Sequence, residues 1–174
     1  FSVICAPEGY TYVPDDNFEQ ALIDLGYDDV LDDFVVTDSI SGVTDLVLNS
    51  KEISDLTGIE DFAALTDLSL ENNQLTTLDI SNNTALGYVT LWLNELTSLD
   101  VSANTALTYL NIGLNQLTSL DVSANTALTN LICVGNQLTS LDVSSNTALT
   151  ELQCNTNQLT YLNMRNGVTD QLTT

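Results

Sequence analysis

Positive charge is what this chain most lacks. Of its 174 residues only Lys51 and Arg165 are basic, none is histidine and 24 are acidic, leaving a formal net charge of -22. A surface this negative repels phosphate backbones and anionic leaflets, so nucleic acid and anionic membranes are excluded as partners. Histidine-based triads, histidine metal sites and arginine clamps have no residues from which to be built. Carboxylate pairs of the glycosidase type remain available in principle, but no pair stands apart from the other acids, so the chain is expected not to be an enzyme. No apolar run approaches the roughly 20 residues that a bilayer-spanning helix needs. The first ten residues lack a basic start, so an export signal is expected to lie upstream or to have been removed. Tryptophan is reduced to a single residue, Trp92, which makes its position informative.

What the chain has in abundance is leucine at a fixed interval. Leucines at 65, 86, 107, 128 and 149 are 21 residues apart, and a period of that size signals a solenoid. The stretch LTYLNIGLNQLTSLDVSANTA at 107–127 returns with the same inward letters. Leu107, Leu110, Ile112, Asn115, Leu117, Leu120 and Val122 correspond to Leu86, Val89, Leu91, Asn94, Leu96, Leu99 and Val101. Residues 1–42 read as an N-terminal cap. Residues 43–174 read as the solenoid, with six repeats starting at 43, 65, 86, 107, 128 and 149 and a partial seventh at Val168 to Leu172. In LTYLNI, Leu110 and Ile112 point inward while Tyr109 and Asn111 point outward, the period-two pattern of a strand. In LTSLDV, Leu120 and Val122 face in while Asp121 and Ser123 face out, predicting a second, convex strand.

Two asparagine columns run through the repeats. Asn73, Asn94, Asn115, Asn136 and Asn157 follow the first strand, and Asn83, Asn104, Asn125 and Asn146 sit at the opposite bend. An amide carries donors and an acceptor together, so it can pair buried backbone groups on both of its neighbours. Each such group left unpaired would cost about 1 to 3 kcal/mol, so both columns read as structural.

The pattern LxxLxLxxNxL, here LTYLNIGLNQL, resembles that of the leucine-rich repeat family. The second half-repeat, LTSLDVSANTA, is similar to the short bacterial variant whose convex side is a brief strand rather than a helix. The expected fold is a β-rich (α+β) leucine-rich repeat solenoid with a parallel concave sheet, short convex strands or turns and a helical N-terminal cap. VPDDNFEQALIDLG and SDLTGIEDFAALTDLSLENNQLTTL resemble the cap and first repeat of internalin-type bacterial surface proteins. That resemblance implies a secreted or cell-surface bacterial protein whose concave sheet binds another macromolecule.

Within the cap, a helix is predicted over about 15–25. Asp15 or Asp16 starts it, Glu19 forms a capping-box-like pair with Asp16, Phe18, Ala21, Leu22 and Leu25 make one apolar stripe, and Gly26 ends it. No distinct closing element follows Met164, which leaves three readings: GVTDQLTT is a minimal cap, the chain is part of something longer, or it self-associates through a C-terminal edge.

Inward positions are dictated by packing, so function is sought among the outward ones. The first outward column runs Asp45, Asp67, Tyr88, Tyr109, Asn130, Glu151. The second runs Val47, Ser69, Thr90, Asn111, Ile132, Gln153, and the third Asn49, Glu71, Trp92, Gly113, Val134, Asn155. The adjoining column adds Leu93 and Leu114. Polar ends flank an apolar and aromatic middle of Tyr88, Trp92, Leu93, Tyr109, Leu114, Ile132 and Val134. Exposed patches of this kind mark binding surfaces, whereas strand formers tolerated for their β-propensity are the plainer explanation. The expected function is non-catalytic recognition of a protein or glycan, with Glu71, Asn111 and Asn130 supplying hydrogen bonds.

The remaining columns carry weaker signals. Thr76, Thr97, Thr118, Thr139 and Thr160, with Thr84, Thr105, Thr126 and Thr147, raise the alternative of an ice-binding or structural surface protein. Asp79, Asp100, Asp121 and Asp142 stand one above another, read as solvated acids, with calcium bridging as the alternative. Asp28, Asp29, Asp32 and Asp33 lack the spacing of an EF-hand loop, so no metal or other cofactor is assigned and calcium stays an alternative. Cys133 and Cys154 take an inward aliphatic place on adjacent repeats and are expected to be free thiols; Cys5 leaves the total odd.

Overall fold

The solenoid takes only three residues of regular strand from each repeat, because the outward–inward–outward triplet is all that lies between two bends. The computed structural model describes residues 6–167. Cys5 and the partial seventh repeat lie outside them. The concave sheet contains β3 (Asp45–Val47), β4 (Asp67–Ser69), β5 (Tyr88–Thr90), β6 (Tyr109–Asn111), β7 (Asn130–Ile132) and β9 (Glu151–Gln153), six parallel strands in sequence order. Pairing is in perfect step with the repeat, Leu46 to Leu68 to Val89 to Leu110 to Leu131 to Leu152. Since a slip of one residue would turn every inward leucine to solvent, the buried column enforces that register.

The convex side is only partly strand. Ser140–Asp142 (β8) pairs in parallel with Tyr161–Asn163 (β10), while the equivalent segments of earlier repeats curve without a regular ladder. There Leu78, Leu99 and Leu120 are half-buried against the core and Ile80, Val101, Val122 and Val143 complete it. At the last described repeat Cys154, Leu159 and Met164 are only partly covered.

The two asparagine columns differ in how they work. Asn115 accepts from Leu96 N–H through Oδ1 and donates through Nδ2 to the carbonyls of Leu91 and Ile112, and Asn94, Asn136 and Asn157 repeat the arrangement. Each amide thus stitches two repeats. The second column only donates: Asn104 Nδ2 reaches the carbonyls of Ile80 and Asn83, and the Oδ1 atoms of Asn83, Asn104, Asn125 and Asn146 are buried without a partner. The sequence expectation that both columns serve as donor and acceptor therefore holds for the first alone.

In the cap, β1 (Tyr10–Tyr12) pairs antiparallel with β2 (Phe34–Val36), and α1 (Asp16–Leu25) lies between them in sequence. A short helix, α2 (Thr37–Ile40), follows β2. Asp15 is the N-cap of α1, its Oδ1 accepting from the N–H groups of Asn17 and Phe18. Its other oxygen accepts from Ser54 N–H, the Ser54 hydroxyl and Asp55 N–H, so one carboxylate both starts the helix and holds the first repeat. Burial alone would raise the Asp15 pKa, but the hydrogen bonds from Ser54, Phe18 and Asp55 outweigh it and leave the group below its usual value.

The capping-box pairing of Asp16 with Glu19 is not formed. Glu19 is fully buried and its Oε1 accepts from Asp32 and Phe34 N–H instead. Leu25 is exposed rather than part of the stripe, because it is the last residue of α1 before the left-handed Gly26 cap, beyond the buried Phe18, Ala21 and Leu22. Phe18 stacks on Phe62 with ring centroids 6.2 Å apart, joining cap and solenoid cores. Gly58 makes that junction close: its φ is +105° and a Cβ there would stand 2.8 Å from the Tyr12 carbonyl oxygen.

Candidate functional site

Parallel pairing in step with the repeat brings outward residues that are 21 positions apart onto neighbouring strands. Tyr88 on β5 and Tyr109 on β6 become direct partners, and their rings stack at 4.4 Å with an interplanar angle of 13°. The stack half-buries Tyr109 and leaves Tyr88 38% exposed. Burial, then the neighbouring Tyr88 and the Glu151 carboxylate, push the Tyr109 phenol above its usual pKa. Offset or stacked aromatic pairs add roughly 0.5 to 1.5 kcal/mol beyond the area they cover, so the pair is a preformed platform.

Trp92 follows β5 and is half-buried, for a reason that lies one repeat away. A Cβ built on Gly113 would fall 2.3 Å from Trp92 Cζ3 and 3.1 Å from Val134 Cγ1. The indole therefore lies across the gap that glycine leaves, with Val134 on the far side. The small residue beside the one tryptophan was visible in the third outward column, yet its meaning appears only when the repeats are stacked.

Leu93 and Leu114 occupy a position with left-handed backbone in every repeat. The φ values there are 56° at Ser50, 56° at Asn72, 60° at Leu93, 52° at Leu114, 69° at Gly135 and 56° at Thr156. Small or polar residues suit that conformation, whereas a leucine is strained in it by about 1 kcal/mol or more. Both leucines are also exposed, Leu93 by 43% and Leu114 by 40%, so neither gains core burial in return. Strain and exposure thus fall together at both leucines.

The polar members of the expected patch are placed differently. Asn111 is only 9% exposed and its Oδ1 accepts from Gly113 N–H, so it shapes the bend rather than offering an amide to a ligand. Thr90, likewise buried, donates to Glu71 Oε1 at 2.7 Å. Asn130 donates to Glu151 Oε2 at 2.6 Å and Gln153 donates to its Oε1. Ile132 and Val134 are half-buried. The structure thus stacks Tyr88 on Tyr109, sets Trp92 near Val134 across Gly113, and engages the polar residues within the chain.

Over residues 68–89 the chain matches a repeat family described as LVIVD repeat. It is 44% identical over 73 residues to Internalin J of Listeria monocytogenes serotype 4b (strain F2365), a stretch covering 42% of this chain and 8% of that protein. The functional domain of InlJ from Listeria monocytogenes superposes with a TM-score of 0.82 at 40% identity, over 93% of this chain and 37% of that one. This chain is a bacterial leucine-rich repeat protein with internalin-like features. Further similarity extends to a leucine-rich repeat protein of Leptospira interrogans, with a TM-score of 0.60 and 28% identity over 66% of this chain and 31% of that one. The LRIM1/APL1C complex gives 0.68 and 27% over 74% and 26%.

Other sites that the sequence singled out in this leucine-rich repeat protein are placed away from the concave wall. Asp79, Asp100, Asp121 and Asp142 each accept at Oδ1 from the N–H two residues on. Their pKa values are lowered first by the hydroxyls of Ser81, Ser102, Ser123 and Ser144, then by those amides. The carboxylates thus close their own turns. The two threonine columns are exposed but lie at bends and turns, so they do not form the flat strand surface that ordered water would need. Cys133 and Cys154 are free. Burial, then the adjacent Cys154, pushes the Cys133 thiol up to about 12. No helix among the described residues is long and apolar enough to cross a membrane.

Proposed function

We propose that this leucine-rich repeat protein is a non-catalytic binding module, working outside a bacterial cell, that takes a protein ligand on its concave wall. The observation that carries the reading is the Tyr88–Tyr109 stack, with Leu93 and Leu114 exposed on the same two repeats. Aromatic anchors in a rigid setting supply most of an interface's energy, because two-torsion side chains already held in place lose little entropy on binding. Trp92, Ile132 and Val134 widen the apolar floor, and Glu71, Asn130 and Glu151 form its polar margin. The net charge of -22 favours a neutral or basic ligand segment. A protein suits this wall better than a glycan, since Asn111, Asn130 and Glu71 already hydrogen-bond within the chain.

The test is a quantitative one. Surface-protein ligands captured by the wild-type chain are measured again with Tyr88→Ser/Tyr109→Ser and with the convex control Asp121→Asn, after circular dichroism has established that both variants are folded. Loss of about 2 kcal/mol or more, roughly thirtyfold in Kd, is expected for the tyrosine pair and no change for the control. Equal affinity for all three proteins removes the concave wall from the proposal.

A further inference from the structure

Resting on the concave-wall reading above, we propose that the protein ligand presents an arginine to the open face of Tyr88, where the guanidinium stacks on the ring and pairs with Asp67. The rings of Tyr88 and Tyr109 lie 4.4 Å apart and within 13° of parallel, close to the roughly 4.8 Å between neighbouring strands. Both ring planes therefore face along the coil. Tyr109 covers one face of Tyr88, and the other is turned toward β4, where Asp67 is its direct register partner.

Asp67 is in turn paired with Asp45 on β3, so two carboxylates stand in register beyond the ring. Like charges directly opposite each other on adjacent strands are destabilising. The Thr44 and Thr66 hydroxyls donate to Asp45 Oδ2 and Asp67 Oδ2, leaving Oδ1 of each without a hydrogen bond among the described residues. The salt bridge formed among those residues is Lys51 with Asp24, so no cation there answers the pair. Asp45 is exposed, Asp67 half-buried and Tyr88 exposed, which leaves all three within reach of a partner.

A guanidinium suits this place better than an ammonium. It is planar and lies flat on an aromatic face, its fork of N–H groups meets both oxygens of a carboxylate, and it is less strongly hydrated. Asp45, one strand further on, adds attraction at longer range. Val47, 60% exposed on β3, offers apolar contact to the residues beside the arginine. The other end of the wall is less suited, because both oxygens of Glu151 are already taken by the Asn130 and Gln153 amides.

The probe is a library of short capped peptides with arginine fixed at the centre and uncharged residues around it, screened against the full chain. Each binder is remade with citrulline, which keeps the shape and loses the charge, and with lysine. Saturable binding is expected for members of the arginine set, weakened at least roughly tenfold by citrulline and to a smaller degree by lysine. Asp67→Asn should weaken the arginine peptides roughly tenfold and leave their citrulline forms unchanged. Asp45→Asn, at an exposed position, carries the same comparison if Asp67→Asn unfolds. An arginine library without a saturable binder overturns the proposal, as do lysine or citrulline forms that bind as tightly as arginine. The concave-wall reading fails separately, when Tyr88→Ser/Tyr109→Ser keeps full affinity for captured surface proteins. Proteins that are lost with the tyrosines but bind Asp67→Asn and Asp45→Asn as well as wild type leave the wall standing and remove the arginine.

Discussion

The concave and convex halves of each repeat share one core and one register, yet their outward residues behave differently. On the convex side Asp79, Asp100, Asp121 and Asp142 repeat, and each accepts a bond from the amide two residues on. On the concave side the corresponding places change along the coil, from Asp67 through Tyr88 and Tyr109 to Asn130 and Glu151. A residue that repeats is doing something each coil needs, such as closing a turn. One that varies is released from that duty and can be chosen for what approaches the wall.

The interior extends the contrast and yields the largest expected effect. Leu96 N–H is paired with Asn115 Oδ1, whereas the carbonyls that Asn104 serves also accept from Asn83 N–H and Leu86 N–H. Asn115→Ala should therefore cost about 2 to 4 kcal/mol by orphaning a buried amide, and Asn104→Ala about 1 kcal/mol, measured by urea unfolding. Equal losses would erase the difference between the two columns.

Next comes the floor of the wall. Gly113→Val places carbon where Trp92 now lies, so the indole should leave its slot, with a red-shifted emission and a loss of about 1 to 3 kcal/mol. An unshifted spectrum would mean that Trp92 is held by something other than the space at Gly113.

Smaller in stability, but sharper in meaning, is Leu93→Asn. Asparagine already fills the same left-handed position at Asn72, so the variant should be stabilised by up to about 1 kcal/mol while binding ligand more weakly. Lower stability would show that Leu93 is there for the fold.

The smallest effect is expected on the convex side, while the cap carboxylate gives an effect that is read in its pH dependence. Asp121→Asn should leave the unfolding midpoint and ligand affinity where they are. Asp15 has a lowered folded pKa, so its contribution is complete above the unfolded value of about 3.9 and is lost as pH falls through the folded one. Asp15→Asn should accordingly flatten the stability profile below about pH 4, as followed by chemical denaturation; an unchanged slope would assign acid sensitivity to other groups.

Much of this molecule was legible in the letters. A step of 21 residues placed the inward leucines, and alternation in LTYLNI placed Tyr88 and Tyr109 on one face. Less legible were residues whose role depends on a partner far along the chain. Glu19 looked like a helix-capping residue, but it is held by Asp32 and Phe34. Asn111 looked available to a ligand, but it is covered and its Oδ1 is taken by Gly113 N–H. Leu25 matched the helical period, yet it ends α1 beyond the buried stripe and stays exposed.

Translation along the coil explains which matters belonged to each level. A repeated pattern must stack on itself to bury its leucines, so period and register followed from sequence alone. Trp92 over Gly113 and strained Leu93 and Leu114 were decided by tertiary structure, because each depends on distances between segments that no local pattern encodes.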